Sequence, residues 1–109
     1  MDPLLNAFAM LSAAVVAGSL LPRAWLPAWL PNDKLLHVGC YAAAAALLSL
    51  RFAQESIFGA TLAGCFVAGI GIEAVQQFIP GREFCARDIA ANGMGIMLGA
   101  GGVWLWGAR

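Results

Sequence analysis

Residues 57–79 read IFGATLAGCFVAGIGIEAVQQFI, an apolar run whose charged and amide side chains are those of Glu73, Gln76 and Gln77. A helix that crosses the hydrocarbon core of a bilayer uses about 20 residues. The run is therefore long enough to span a membrane. It carries its most polar residues close to one end.

Three more apolar runs accompany it, at residues 4–21, 34–50 and 88–106. The whole chain of 109 residues is 61% hydrophobic and 11% charged, against about a quarter charged in soluble domains. Four spans of about 20 residues leave little chain outside the bilayer. We therefore predict one all-α domain over residues 1–109, a polytopic membrane protein of four transmembrane helices in which sequence neighbours are antiparallel.

The segments outside the runs refine this prediction. Residues 22–32 contain Pro22, Pro27 and Pro31, which exclude a straight helix there. Asp88 is predicted to be the N-cap of the fourth helix.

The first run has no basic residue before it, so we expect it to remain as a span rather than to be cleaved as a signal peptide. Six basic and six acidic residues cancel, which argues against a nucleic-acid partner.

The polar residues of the predicted spans gather at one depth. Near the start of the second helix, His37 and Tyr41 follow Asp33 at four-residue steps, so they lie on one face, about 6 and 12 Å below it. The third helix runs the opposite way, and the fourth starts again at the same surface. We therefore predict one polar site in one leaflet, formed by Asp33, Lys34, His37, Tyr41, Glu73, Gln76, Arg82, Asp88 and Asn92.

Small residues follow the same face of the fourth helix. Asn92, Gly95 and Gly99 are spaced i, i+3, i+7, and the two glycines form a GxxxG step. In lipid, glycines let helix backbones approach closely. Helix packing alone accounts for these glycines, whereas an ionisable residue as deep as Glu73 indicates function by default.

These motifs resemble the signature of the VanZ-like family. The resemblance covers residues 33–99 and rests on three pieces: Asp33-Lys34-x-x-His37-x-x-x-Tyr41, Glu73-x-x-Gln76, and Pro80-Gly81-Arg82 followed by Asp88-x-x-x-Asn92-x-x-Gly95-x-x-x-Gly99. Val38 and Cys85 depart from the residues common in the family. The resemblance implies a four-helix bacterial membrane protein with a link to glycopeptide resistance.

The family's habit of placing basic residues at both termini and in the second loop also implies an orientation. With Arg51 and Arg109 on the cytoplasmic side, the chain is expected to be N-in and C-in in the bacterial inner membrane. The polar site then lies in the outer leaflet. A plain count of basic residues on the two sides favours the reverse.

Binding of an anionic lipid or a cell-envelope lipid precursor is the first functional hypothesis. Arg82 follows the Pro80-Gly81 turn, is expected over Glu73, and can grip two oxygens of a phosphate, to which Lys34 adds a point charge. The acidic residues would hold these cations, and the neutral residues would add hydrogen bonds. The partner is thus a membrane lipid, with no cofactor.

Three alternatives stay open. The first is a membrane-embedded hydrolase or transferase acting on a phosphorylated lipid, with His37 and Glu73 as acid and base, although no nucleophile motif is present. The second is a purely structural polar cluster. The third, transport of ions or protons, would need polar residues in the other leaflet beyond Ser49, Gln54 and Thr61. One histidine with dispersed carboxylates argues against a metal, and the sequence leaves open whether the chain forms a homo-oligomer or joins another membrane protein.

Overall fold

The computed structural model describes residues 2–29, 33–82 and 86–107, without the side chains of Arg23, Asp33 and Lys34. Within these ranges the chain forms helices and no strand, which confirms the predicted fold class. The α-helices are α1 (Pro3–Ser19), α2 (Asp33–Phe52), α3 (Phe58–Gln76) and α4 (Ala86–Gly107), and a 3-10 turn, Arg23–Trp25, follows α1.

The helix bounds differ from the predicted ones by up to three residues, and two of these ends lie beside the predicted site. Helix α3 ends at Gln76, three residues before the end of its apolar run, because the chain tightens into turns in which the Phe78 and Ile79 N–H groups donate to Val75 and Gln76. Helix α4 begins at Ala86, so the prediction that Asp88 is its N-cap is wrong. Asp88 lies in the first turn instead, where a carboxylate interacts favourably with the helix dipole.

Length and apolar composition let three of the described helices cross a membrane, namely Leu35–Phe52 of α2, α3 and α4. Helix α1 is apolar but shorter, with 17 residues. Exposed tryptophans mark both ends of the bundle: Trp25 and Trp29 follow α1, and Trp104 and Trp106 lie at the end of α4. Tryptophan is enriched at membrane–water interfaces, so these pairs suit two opposite interfaces.

Helices α2 and α4 form the tightest contact of the bundle, and they run parallel. A Cβ atom added to Gly95 would lie 2.5 Å from the backbone oxygen of Val38. One added to Gly99, a turn further along, would overlap the backbone oxygen of Ala42. Only glycine permits this approach at both positions, so the GxxxG step is a backbone contact between the two helices.

Helix α3 packs against this pair in the opposite direction, since Gly69 meets Tyr41 while Glu73, one turn later, approaches His37. Helix α1 packs mainly on α2, and Asp2 caps its first turn by accepting from the Leu4 N–H group at 2.8 Å. Partial desolvation would raise the pKa of Asp2, but the hydrogen bonds from Leu4 and Arg51 outweigh it and leave that pKa below its usual value. The link to Arg51 holds the start of α1 beside the end of α2.

Candidate functional site

Three helices each contribute one ionisable side chain to a cluster near one end of the bundle. His37 comes from α2, Glu73 from α3 and Asp88 from α4, and one nitrogen or oxygen atom of each lies within 4.8 Å of the others. Glu73 is fully buried and Asp88 is 7% exposed. His37 and Asp88 lie near the first residues of α2 and α4, and Glu73 lies near the last residue of the antiparallel α3. The three groups therefore lie at the same depth in the bundle.

A short hydrogen bond fixes the imidazole of His37. Its Nδ1 lies 2.6 Å from Oδ1 of Asn92, a fully buried residue of α4. Because the amide oxygen can only accept, Nδ1 carries the proton and Nε2 is left with its lone pair in the neutral ring. Nε2 faces Oδ2 of Asp88 at 3.8 Å, which is too long for a hydrogen bond.

Tyr41 extends the cluster one turn deeper along α2. Its ring lies nearly parallel to that of His37, with ring centroids 6.2 Å apart. A Cβ atom added to Gly69 would lie 2.8 Å from both the Tyr41 hydroxyl oxygen and Nδ2 of Asn92. Gly69 therefore makes room on α3 for these two polar side chains. Nδ2 of Asn92 is buried and has no hydrogen-bond partner among the described residues.

Gln76 and Arg82 face α1. Nε2 of Gln76 donates to the Ser19 carbonyl at 3.0 Å. Nε and Nη2 of Arg82 donate to the carbonyls of Leu21 and Gly18 at 3.2 and 2.9 Å. The guanidinium is thus directed to the end of α1 and not, as the sequence suggested, over Glu73.

These contacts supply a C-terminal cap that α1 lacks in its own sequence. The last four carbonyls of a helix have no partner within the helix, and α1 has no basic residue in its last turn. Sequence reasoning did not assign α1 to the site. The absence of a C-terminal cap in the sequence of α1 indicates that another segment donates to its last carbonyls. It does not indicate which residue is the donor.

A partly open cavity of about 230 Å³ lies between α1, α2 and the chain that follows α1. His37, Tyr41, Gln76 and Arg82 form its polar part. Its apolar part is formed by Ala14, Val15, Gly18, Leu26, Leu36 and Cys40. A second cavity of about 110 Å³ lies deeper and shares Val15, Cys40 and Tyr41 with the first. Polar and apolar surfaces thus adjoin in two neighbouring cavities that share these lining residues.

Nine site residues were predicted. The structure does not describe the side chains of two of them, Asp33 and Lys34. Cys85 also lies outside the described residues. The structure brings His37, Glu73, Asp88 and Asn92 into one cluster with Tyr41 beside it. Gln76 and Arg82 lie at its edge, joined to α1.

The other half of the bundle holds hydroxyl groups that bond within their own helices. Ser49 is buried and donates to the Ala45 carbonyl at 2.7 Å. Thr61 donates to the Phe58 carbonyl at 2.7 Å. These contacts are the usual way in which a helix satisfies a buried hydroxyl. Within the described residues, no ionisable chain continues the cluster towards the far end.

The fold and the cluster together define a small integral membrane protein with a polar site near one end of its helices. The chain belongs to the VanZ/LLP1 family, whose sequence model matches residues 4–107. Neither the curated proteins nor the solved structures contain a match to the chain.

Proposed function

We propose that this protein binds the anionic head group of a membrane lipid or of a cell-envelope lipid precursor. The observation that carries the proposal is the hollow between α1 and α2. Its mouth has a guanidinium, an imidazole, an amide and a phenol, and its depth is apolar. A phospholipid has the same order of polar and apolar groups, because its charged phosphate is followed by a hydrocarbon chain.

Arg82 supplies the positive charge that the proposal needs. A guanidinium has five N–H donors, and the bonds to Leu21 and Gly18 use Nε and one N–H of Nη2. The remaining donors can bind phosphate oxygens. The two backbone bonds also hold the group at the cavity edge, so less side-chain entropy is lost when it binds a ligand.

The apolar depth suits one chain of a lipid. Phe8, Leu11 and Ile72 line the second cavity, which shares Tyr41 with the first. Helix α1 packs less closely against α3 than α2 packs against α4. A lipid chain can therefore enter the second cavity from the bilayer, between α1 and α3. In this arrangement the head group lies at Arg82 and the chain lies between α1 and α3.

The site is assigned to the outer leaflet of the bacterial inner membrane. This assignment follows the N-in, C-in orientation expected from the family's basic residues, with Arg51 on the cytoplasmic side. Carrier lipids of cell-wall synthesis and their pyrophosphate-linked products expose such head groups in that leaflet. Binding them would connect the protein to glycopeptide resistance, because glycopeptides act on the same precursors.

A hydrolase or transferase acting on a phosphorylated lipid is the second candidate. The observation that favours it is the orientation of His37, whose Nε2 is kept as an acceptor by the bond to Asn92. Such a nitrogen can act as a general base when a buried carboxylate such as Glu73 lies close. Release of inorganic phosphate from a polyisoprenyl phosphate by purified protein would support this candidate.

The binding proposal is tested by filling the cavity. A Cβ atom added to Gly18 meets nothing within 4 Å, and leucine is favoured over glycine in a helix by up to about 1 kcal/mol. Gly18→Leu should therefore fold while its side chain occupies the cavity. Ala17→Leu adds the same side chain at an exposed neighbour and is the matched control.

The measurement is the anionic lipid that co-purifies with each protein, extracted and quantified per chain. We expect the parent and Ala17→Leu to retain more anionic lipid than the bulk membrane contains, and Gly18→Leu to fall to the bulk proportion. Equal amounts in all three proteins would contradict the proposal.

A further inference from the structure

We propose that His37, Glu73 and Asp88 form a binding site for one divalent transition-metal ion, with zinc as the best fit. The sequence argued against a metal because it offers one histidine with carboxylates dispersed along the chain, and because the nearby cations would oppose a divalent ion. The fold removes the first objection, since α2, α3 and α4 bring one ligand atom each to within 4.8 Å of the others. The inference goes beyond lipid binding and does not depend on it.

The spacing of the ligand atoms fits a common ion. Zinc binds imidazole nitrogen and carboxylate oxygen at about 2.0–2.2 Å, so two ligands of one tetrahedral ion are about 3.4 Å apart. The 3.8 Å between Nε2 of His37 and Oδ2 of Asp88 is close to that spacing and too long for a direct hydrogen bond. A carboxylate oxygen of Glu73 lies within 4.8 Å of the other two ligand atoms.

Asn92 supplies the second, independent observation. Metal-binding histidines almost always donate their other ring N–H to an oxygen, which fixes the tautomer and the ring plane. The 2.6 Å contact between Nδ1 of His37 and Oδ1 of Asn92 is such a bond, and it leaves Nε2 pointing to the carboxylates. The other polar atom of that buried amide, Nδ2, has no hydrogen-bond partner among the described residues.

The charges also suit a divalent ion. In an ion-bound site Glu73 and Asp88 would bind as carboxylates, and their two negative charges would balance the charge of one divalent cation. Arg82, which the sequence placed near Glu73, directs its Nε and Nη2 donors to α1. An imidazole ligand favours zinc over magnesium, which prefers oxygen. Three protein ligands leave one position for water or for a phosphate oxygen.

The test uses the full chain, purified in detergent without a histidine tag, stripped with EDTA and titrated with ZnCl2. We expect the parent to bind one zinc per chain and magnesium far more weakly. Cobalt bound at the same site should give the visible absorption of a nitrogen- and oxygen-ligated ion. Because no lipid is added, failure of this test and failure of lipid binding are distinguishable.

Variants decide which residues hold the ion. Glu73→Gln and Asp88→Asn should lose zinc, whereas Glu55→Gln, an exposed carboxylate at the other end of α2, should keep it. Asn92→Ala retains all three ligands but should bind zinc about 10- to 100-fold more weakly. Circular dichroism and gel filtration of each variant separate loss of the site from loss of the fold.

Two results would overturn the proposal. The first is equal zinc binding by the parent and by folded Glu73→Gln and Asp88→Asn. The second is zinc binding by Lys34→Gln but not by the parent, which would mean that the lysine ammonium occupies the position assigned to the ion.

Discussion

The imidazole of His37 and the amide of Asn92 are joined by a 2.6 Å contact that links the second turns of α2 and α4. The two helices run parallel from this contact, and their backbones then meet at Gly95 and Gly99. One polar bond and two glycines thus fix both the rotation and the separation of the helix pair. The candidate site lies at the polar end of that pair.

The first prediction concerns the glycine contact. Gly99→Ala should push α4 away from Ala42, because its Cβ atom would overlap a backbone oxygen. The matched control is Gly101→Ala, whose Cβ atom meets nothing within 4 Å and which should be neutral or stabilising by up to about 1 kcal/mol. Thermal unfolding in detergent should show a lower midpoint for Gly99→Ala alone. Equal midpoints would mean that the contact does not limit stability.

The second prediction concerns the polar bond. Asn92→Ala leaves the partly buried Nδ1 of His37 without its acceptor, which costs about 1 kcal/mol or more. Asn6→Ala removes an amide from α1 at the other end of the bundle and serves as the control. The unfolding midpoint of Asn92→Ala should fall clearly below both the parent and the control. An unfolding midpoint equal to that of the parent would mean that the bond to His37 does not limit stability.

The sequence predicted the level of the site but not its internal contacts. Helix spacing places His37 and Asn92 one turn below the same surface, and the antiparallel α3 brings Glu73 to that depth. Depth does not determine how each helix rotates, so the contact between Nδ1 and Oδ1 could not be derived. That rotation depends on backbone contacts such as the one at Gly99.

Arg82 illustrates a second limit. A cation near a buried carboxylate is the expected arrangement, and the sequence therefore suggested Arg82 over Glu73. The end of α1 competes for the same guanidinium, because it has no basic residue in its last turn and the Gly18 and Leu21 carbonyls lie within reach. The acceptor that a long side chain binds depends on how the loops fold. Helical periodicity in the sequence does not predict the loop conformation.

The third prediction concerns orientation. In a chain whose three cysteines are replaced by serine, single cysteines are introduced at Gln54 and Gln77, exposed residues that follow α2 and α3 respectively. An N-in, C-in protein should expose Gln77→Cys outside, so a membrane-impermeant maleimide should label it in intact bacterial cells. Gln54→Cys should be labelled only after lysis. The opposite pattern would place the site in the cytoplasmic leaflet.

Recognition of an anionic head group through Arg82 can be measured in one lipid titration. Native mass spectrometry of detergent-purified protein compares phosphatidylglycerol with phosphatidylcholine of identical acyl chains. We predict that the parent and Arg87→Gln, an exposed arginine of α4, prefer phosphatidylglycerol. Arg82→Gln should bind that lipid about tenfold more weakly and lose the preference, since a hydrogen bond from a charged group contributes about 1.5–3 kcal/mol. The same preference in all three proteins would contradict the account.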